Sequence, residues 1–161
     1  MTADREVAPV SGTSSTMAPR TRVDGRRNAL AVAGVGVAAL VAAAALSPAV
    51  VANGPELCPF ARMTGLPCPA CGLTRSWVAL AHGDLTASFT VNAFGPLFLM
   101  ATIIVTVGAV AELVTGRPIL AQMRRAIANP VGLSVLVVWF GYGIVRAVDA
   151  AAGWGLFPSI V

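Results

Sequence analysis

Three stretches of this chain are long enough to cross a bilayer and carry at most one charged side chain each, and no other feature restricts the fold as strongly. Residues 29–46, ALAVAGVGVAALVAAAAL, contain no charge, and Pro48 marks where that helix must loosen. A second run follows from Pro96 to Val114, where Pro suits a first helical turn, and a third begins at Pro130 and reaches about Val148. About 20 residues at 1.5 Å each span the roughly 30 Å hydrocarbon layer. Lipid offers no hydrogen bonds, so such a segment must satisfy its backbone internally, as a helix does. The composition agrees: 57% of residues are hydrophobic and 11% charged, against about a quarter charged in soluble domains. The expected fold is all-α and integral to the membrane, with about three transmembrane helices over 29–48, 96–114 and 130–148.

The arginines orient these spans. Arg20, Arg22, Arg26 and Arg27 precede the first, and Arg117, Arg124 and Arg125 lie between the second and third. Under the positive-inside rule both segments are cytoplasmic, which exports the loop at 53–88. Residues 1–28 lack any hydrophobic period and read as a disordered basic arm, leaving 29–161 as one membrane domain. A cleaved signal is the competing reading of the first run, since Arg26 and Arg27 precede it and VVA ends at Ala52. Net charge is +4, yet the basic residues are scattered and bracket apolar runs, so lipid topology rather than nucleic acid explains them. Glu112 sits near the cytoplasmic end of its run and reads as a snorkelling side chain. Arg146 and Asp149, three apart, have the spacing of a helical ion pair. Gly34 and Gly36, or Gly141 and Gly143, permit close helix approach.

All three cysteines fall within CPFARMTGLPCPACGLTR, residues 58–75. An odd number cannot pair completely within one chain. Three chemistries compete. A disulfide from Cys58 to Cys68 or Cys71 would staple the exported loop, because thiols outside the membrane meet an oxidising environment. In a thiol–disulfide oxidoreductase accessory, Cys68-Pro69-Ala70-Cys71 opens a helix whose N-terminus, with Arg75, favours thiolate at Cys68; Cys71 is its partner and Cys58 a shuttle. In a zinc site, Cys58, Cys68 and Cys71 supply three thiolates and His82 the fourth ligand. Downstream, Asp84 is placed to cap a short interfacial helix reaching Phe94. No phosphate loop, dinucleotide fingerprint or Ser-His-Asp grouping accompanies the cysteines, so nothing points to another cofactor or to hydrolysis.

The stretch CPFARMTGLPCPACGLTRSWVALAHGD, followed by ASFTVNAFGPL, resembles the small membrane proteins of the DUF2752 group. The resemblance covers about residues 56–100. It rests on Cys58, Pro59, Thr64, Gly65, Cys68, Pro69, Cys71, Gly72, Thr74, Arg75, Gly83, Asp84 and Asn92. Ala70 stands where the group usually has Gly, and Asn92 is separated from Pro96 where the group often has Asn-Pro. The resemblance implies a membrane location and a shared cysteine module, and no activity. The expectation is a non-enzymatic subunit or interaction protein, embedded in the lipid bilayer, whose exported module maintains a fold or binds another membrane or exported protein.

Overall fold

The computed structural model describes residues 19–54 and 58–157, and every regular element among them is helical. Three helices are long and apolar enough to cross a membrane, making this a multi-pass membrane protein. They are α1 (Pro19–Ala45), α6 (Gly95–Thr115) and α8 (Pro130–Ala152). Between α1 and α6 lie four short helices: α2 (Pro48–Ala52), α3 (Pro59–Thr64), α4 (Leu73–Ala81) and α5 (Leu85–Val91). A nine-residue connector, α7 (Ile119–Ile127), joins α6 to α8.

Punctuation in the sequence sets the span boundaries. Pro96 and Pro130 stand in the first turns of α6 and α8, where a missing N–H costs nothing, and Gly116 and Gly153 end them in the left-handed region at φ 70° and 68°. Asn129 caps α8 by accepting the Gly132 N–H at 2.9 Å. The first span departs from expectation. Helix α1 begins at Pro19, so residues 19–28, read as disordered arm, are helical; the rest of that arm lies outside the described residues. Pro19 suits a helix start, and the arginines that follow are good helix formers able to extend a turn-rich apolar span backwards.

Helix α1 packs along α6, with Gly36 against Thr106 so closely that a Cβ at 36 would meet the Thr106 hydroxyl. Gly34 and Gly141 face open space. Gly143 does serve a close approach, to the ring of Pro69 in the cysteine loop rather than to another helix. Helix α8 stands more apart, with 11% of its most apolar window buried against 22% for each of the other spans. Aromatic contacts hold its cysteine end: Trp139 lies edge-on to Phe98 at 5.0 Å, and Tyr142 meets Phe94 at 5.3 Å.

At the opposite end of the spans, the arginine-bearing segment between α6 and α8 forms the helix α7. Ile119, Leu120, Met123 and Ile127 share one face, and Ile119 and Met123 are set against Gly108 of α6. Glu112 does more than snorkel: its Oε2 accepts the Leu120 N–H at 2.7 Å, satisfying a donor in the first turn of α7.

Candidate metal centre

The cysteine module is built from two turns that the four short helices press together. Cys58 is the residue before α3, with Pro59 in the first helical position, and Gly65 ends that helix at φ 69°. Thr64 locks the exit: its hydroxyl donates to Phe60 O at 2.7 Å and accepts the Leu66 N–H at 3.2 Å. The second turn is Cys68-Pro69-Ala70-Cys71, closed by Cys71 N–H to Cys68 O at 3.0 Å. Gly72, at φ 81°, then turns the chain into α4, a conformation a side chain at that position would oppose. Among the described residues no non-glycine has positive φ, so Ala70 fits this turn without the freedom of a glycine.

These turns converge three sulfurs within 4.8 Å of one another. Cys68 Sγ is central, 3.3 Å from Cys58 Sγ and 3.1 Å from Cys71 Sγ, and the Cys68 N–H donates to Cys71 Sγ at 3.1 Å. All three thiols are free. Sulfurs sharing one tetrahedral zinc at about 2.3 Å lie about 3.8 Å apart, while disulfide sulfurs lie about 2.0 Å apart. The observed spacings stand about 0.5 Å inside the first value and about 1 Å outside the second. Ala61 and Val91 close over the cluster, leaving Cys71 buried and Cys58 and Cys68 half-buried.

Burial and the Cys68 thiol push the Cys71 thiol up to about 12. Burial also acts to raise Cys58, but the N–H of Ala61, the two neighbouring thiols and the N–H of Phe60 outweigh it and hold Cys58 below its ordinary value. No full capping hydrogen bond closes on Cys58, so these N–H dipoles act through space. The start of α3 therefore favours thiolate at Cys58. The expected helix start after the second turn lies further on: α4 opens only at Leu73, beyond Gly72, and Arg75 Nε donates to Val51 O of α2 at 3.1 Å.

His82 is not part of the cluster. It caps the far end of α4, a nine-residue helix about 13 Å long, and its Nδ1 is held by Val78 O at 2.9 Å. Thr74 is exposed in the first turn of α4, away from the sulfurs. Gly83, at φ 85°, and Asp84 form the corner into α5, where the Asp84 carboxylate accepts the Ala87 N–H at 2.8 Å as expected of a cap.

Asn92 holds the second cysteine turn in place. It is fully buried, and its Nδ2 donates both to Pro69 O at 3.2 Å and to Cys71 O at 3.1 Å, while its Oδ1 accepts the Phe94 N–H at 3.0 Å. That last bond closes a side-chain turn without an adjacent proline, which is how Asn92 manages four residues upstream of Pro96. Behind it, Ser76 of α4 donates to Ser88 O of α5 at 2.9 Å, and its oxygen fills the space a side chain at Gly95 would need. Trp77 Nε1 donates to Gly95 O at 3.0 Å.

From α8 comes a residue that spacing misassigned. Arg146, 2% exposed, donates from Nη1 to Cys71 O at 3.3 Å and lies over the Tyr142 ring. It makes no ion pair with Asp149. Both Asp149 oxygens accept amides of the chain beyond α8, from Leu156 at 2.9 Å and Phe157 at 3.0 Å. The carboxylate is drawn to the N–H groups of a turn that folds back after Gly153, and the guanidinium to a carbonyl across the interface. The available signal was the single cation of that apolar run, because an ionisable residue within a membrane span is costly and marks a functional position.

Residues 58–106 match the family model DUF2752, a protein family of unknown function. The matched stretch is similar to that family. It runs from the first cysteine through α5 into the middle of α6, and so contains both cysteine turns, Asn92 and Thr106, the α6 residue against Gly36. Arg146 and Gly143, which pack against the cysteine module, lie outside the matched residues. No curated protein and no solved structure matched the chain.

Proposed function

We propose that this protein is a non-enzymatic membrane module whose DUF2752 segment holds one soft metal ion through Cys58, Cys68 and Cys71. One observation carries the reading: three unpaired sulfurs from two turns converge within 4.8 Å. Zinc fits the thiolate donors, with the fourth position left to water or to a group from a partner. The ion would tie α3 to the turn before α4, a staple that also fixes the surface presented to another membrane or exported protein. Following the arginines at 20–27 and 117–125, the N-terminus is cytoplasmic and the centre is extracytoplasmic.

A second reading rests on the central position of Cys68, within 3.3 Å of both other thiols. Cys58 thiolate attacking a Cys68–Cys71 disulfide at Cys68 would form Cys58–Cys68 and release Cys71, which takes up a proton, and such an exchange serves an oxidoreductase accessory. Metal analysis of the purified protein, with thiol counting by alkylation before and after reduction and chelation, separates the two. About one zinc per chain, with thiols that react only after chelation, supports the metal centre. A metal-free protein with one reactive thiol and one disulfide sinks it and supports exchange. Labelling with a membrane-impermeant maleimide, after chelation of intact cells, checks the orientation.

A further inference from the structure

Arg146 raises a problem of charge. A guanidinium stays protonated in any protein environment, and this one is 2% exposed within the third membrane-crossing helix. Its Nε has no partner, and among the described residues no carboxylate lies within ion-pairing distance. The nearest acid along the helix, Asp149, is occupied by the Leu156 and Phe157 amides. Its one hydrogen bond goes to the carbonyl of Cys71, the residue bearing the most buried thiol of the cluster. A carbonyl and an aromatic face ease the burial of a cation without balancing it.

Three thiolates around a divalent ion carry a net charge of about −1 by simple addition, and such a centre is itself costly to bury. Each half of this arrangement supplies what the other lacks. We infer that Arg146 is the counter-charge of the three-cysteine centre, and that the centre therefore takes a divalent thiophilic cation as a tris-thiolate. The inference rests on the metal reading above and deepens it. Arg146 is a positioning residue here: it touches the Cys71 backbone, and its charge acts on the sulfurs through the low-dielectric interior. It also ties α8 to the module, since Gly143, one turn earlier, receives the Pro69 ring of the same turn. Ion binding is thereby coupled to the seat of the third span.

The test is Cd²⁺ titration of the full chain in detergent, reduced and chelator-treated, following the sulfur-to-cadmium charge-transfer absorbance with a competing chelator to set affinity. Wild type binds one Cd²⁺. Arg146→Gln, which keeps a donor for the Cys71 carbonyl but not the charge, weakens Cd²⁺ about 10- to 100-fold, the usual effect of losing an outer-shell partner. Arg146→Lys restores most of the affinity. Asp149→Asn, which removes the nearest acid and leaves the guanidinium in place, binds Cd²⁺ at least as tightly as wild type. Unchanged affinity in Arg146→Gln overturns the inference while leaving the metal centre standing, and so does weakening in Asp149→Asn, which remains decisive if Arg146→Gln does not fold. Wild type that binds no more Cd²⁺ than a triple Cys→Ser variant sinks the metal reading itself.

Discussion

Replacing Asn92 by Ala removes three hydrogen bonds from a side chain with no solvent exposure. Their loss is unequal. Cys71 O keeps its bond from Arg146, but Pro69 O has no other hydrogen-bond donor among the described residues, and the Phe94 N–H loses its acceptor. An unsatisfied buried polar group costs about 1–3 kcal/mol, and with both of these half-buried the variant's module becomes roughly 3 kcal/mol less stable. At about 1.4 kcal/mol per tenfold, opening of the cysteine turn becomes about 100-fold more populated. Cys71, at 5% exposure, reports that opening. In reduced, chelated membranes its maleimide labelling, resolved by mass, should accelerate about 100-fold in Asn92→Ala. Asn92→Asp should be no better, because it sets an anion against the Pro69 and Cys71 carbonyls. Labelling within threefold of wild type in Asn92→Ala would refute the claim that this side chain holds the turn.

Other substitutions probe the surrounding contacts. Gly143→Ala drives a Cβ into the Pro69 ring and should cost about 1–3 kcal/mol by overpacking; Gly141→Ala, with open space, should leave the thermal midpoint unchanged, and equal midpoints for both variants would contradict the docking of Pro69 on α8. In metal-free, reduced protein Cys58 should be alkylated before Cys71, with half-maximal rate at a pH below that of a free thiol, while Cys71 stays largely unreacted near neutral pH. The sign follows from the thiolate being the reactive form, so earlier labelling of Cys71 would reverse the assignment. Asp84→Ala should lose about 1 kcal/mol of module stability and Asp84→Asn much less, read by hydrogen exchange at the Ala87 amide. Glu112→Leu should free the start of α7, raising exchange at the Leu120 amide, whereas Glu112→Gln retains an acceptor there.

Much of the architecture was legible because bilayer-crossing helices are specified locally. A run of about 20 apolar residues, a proline in the first turn and a glycine just past the end need no partner to be recognised, and the boundaries of α6 and α8 fall close to where those signals stand. The Asp84 cap is equally local, since donor and acceptor are three residues apart. Helix α7 was missed because nine residues with four apolar positions fall below the length at which periodicity separates a helix from a loop. Its apolar face acquires meaning only against Gly108.

The cysteine module divides along the same line. That three thiols share one loop, and that its turns carry Gly65 and Gly72 at left-handed corners, is written in residues fewer than fifteen apart. That the start of α3 favours thiolate at Cys58 was not read from sequence, because helix starts cannot be placed to within a turn from sequence. Tertiary structure decided the rest. His82 is excluded from the sulfurs by the length of α4, and Arg146, 75 residues after Cys71, is brought to its carbonyl while its sequence neighbour Asp149 turns elsewhere. Short-range hydrogen bonding and hydrophobic run length act within a few residues and can be read from them. The position of a buried charge is settled by what desolvation leaves as its only partners, and those partners come from wherever the chain happens to return.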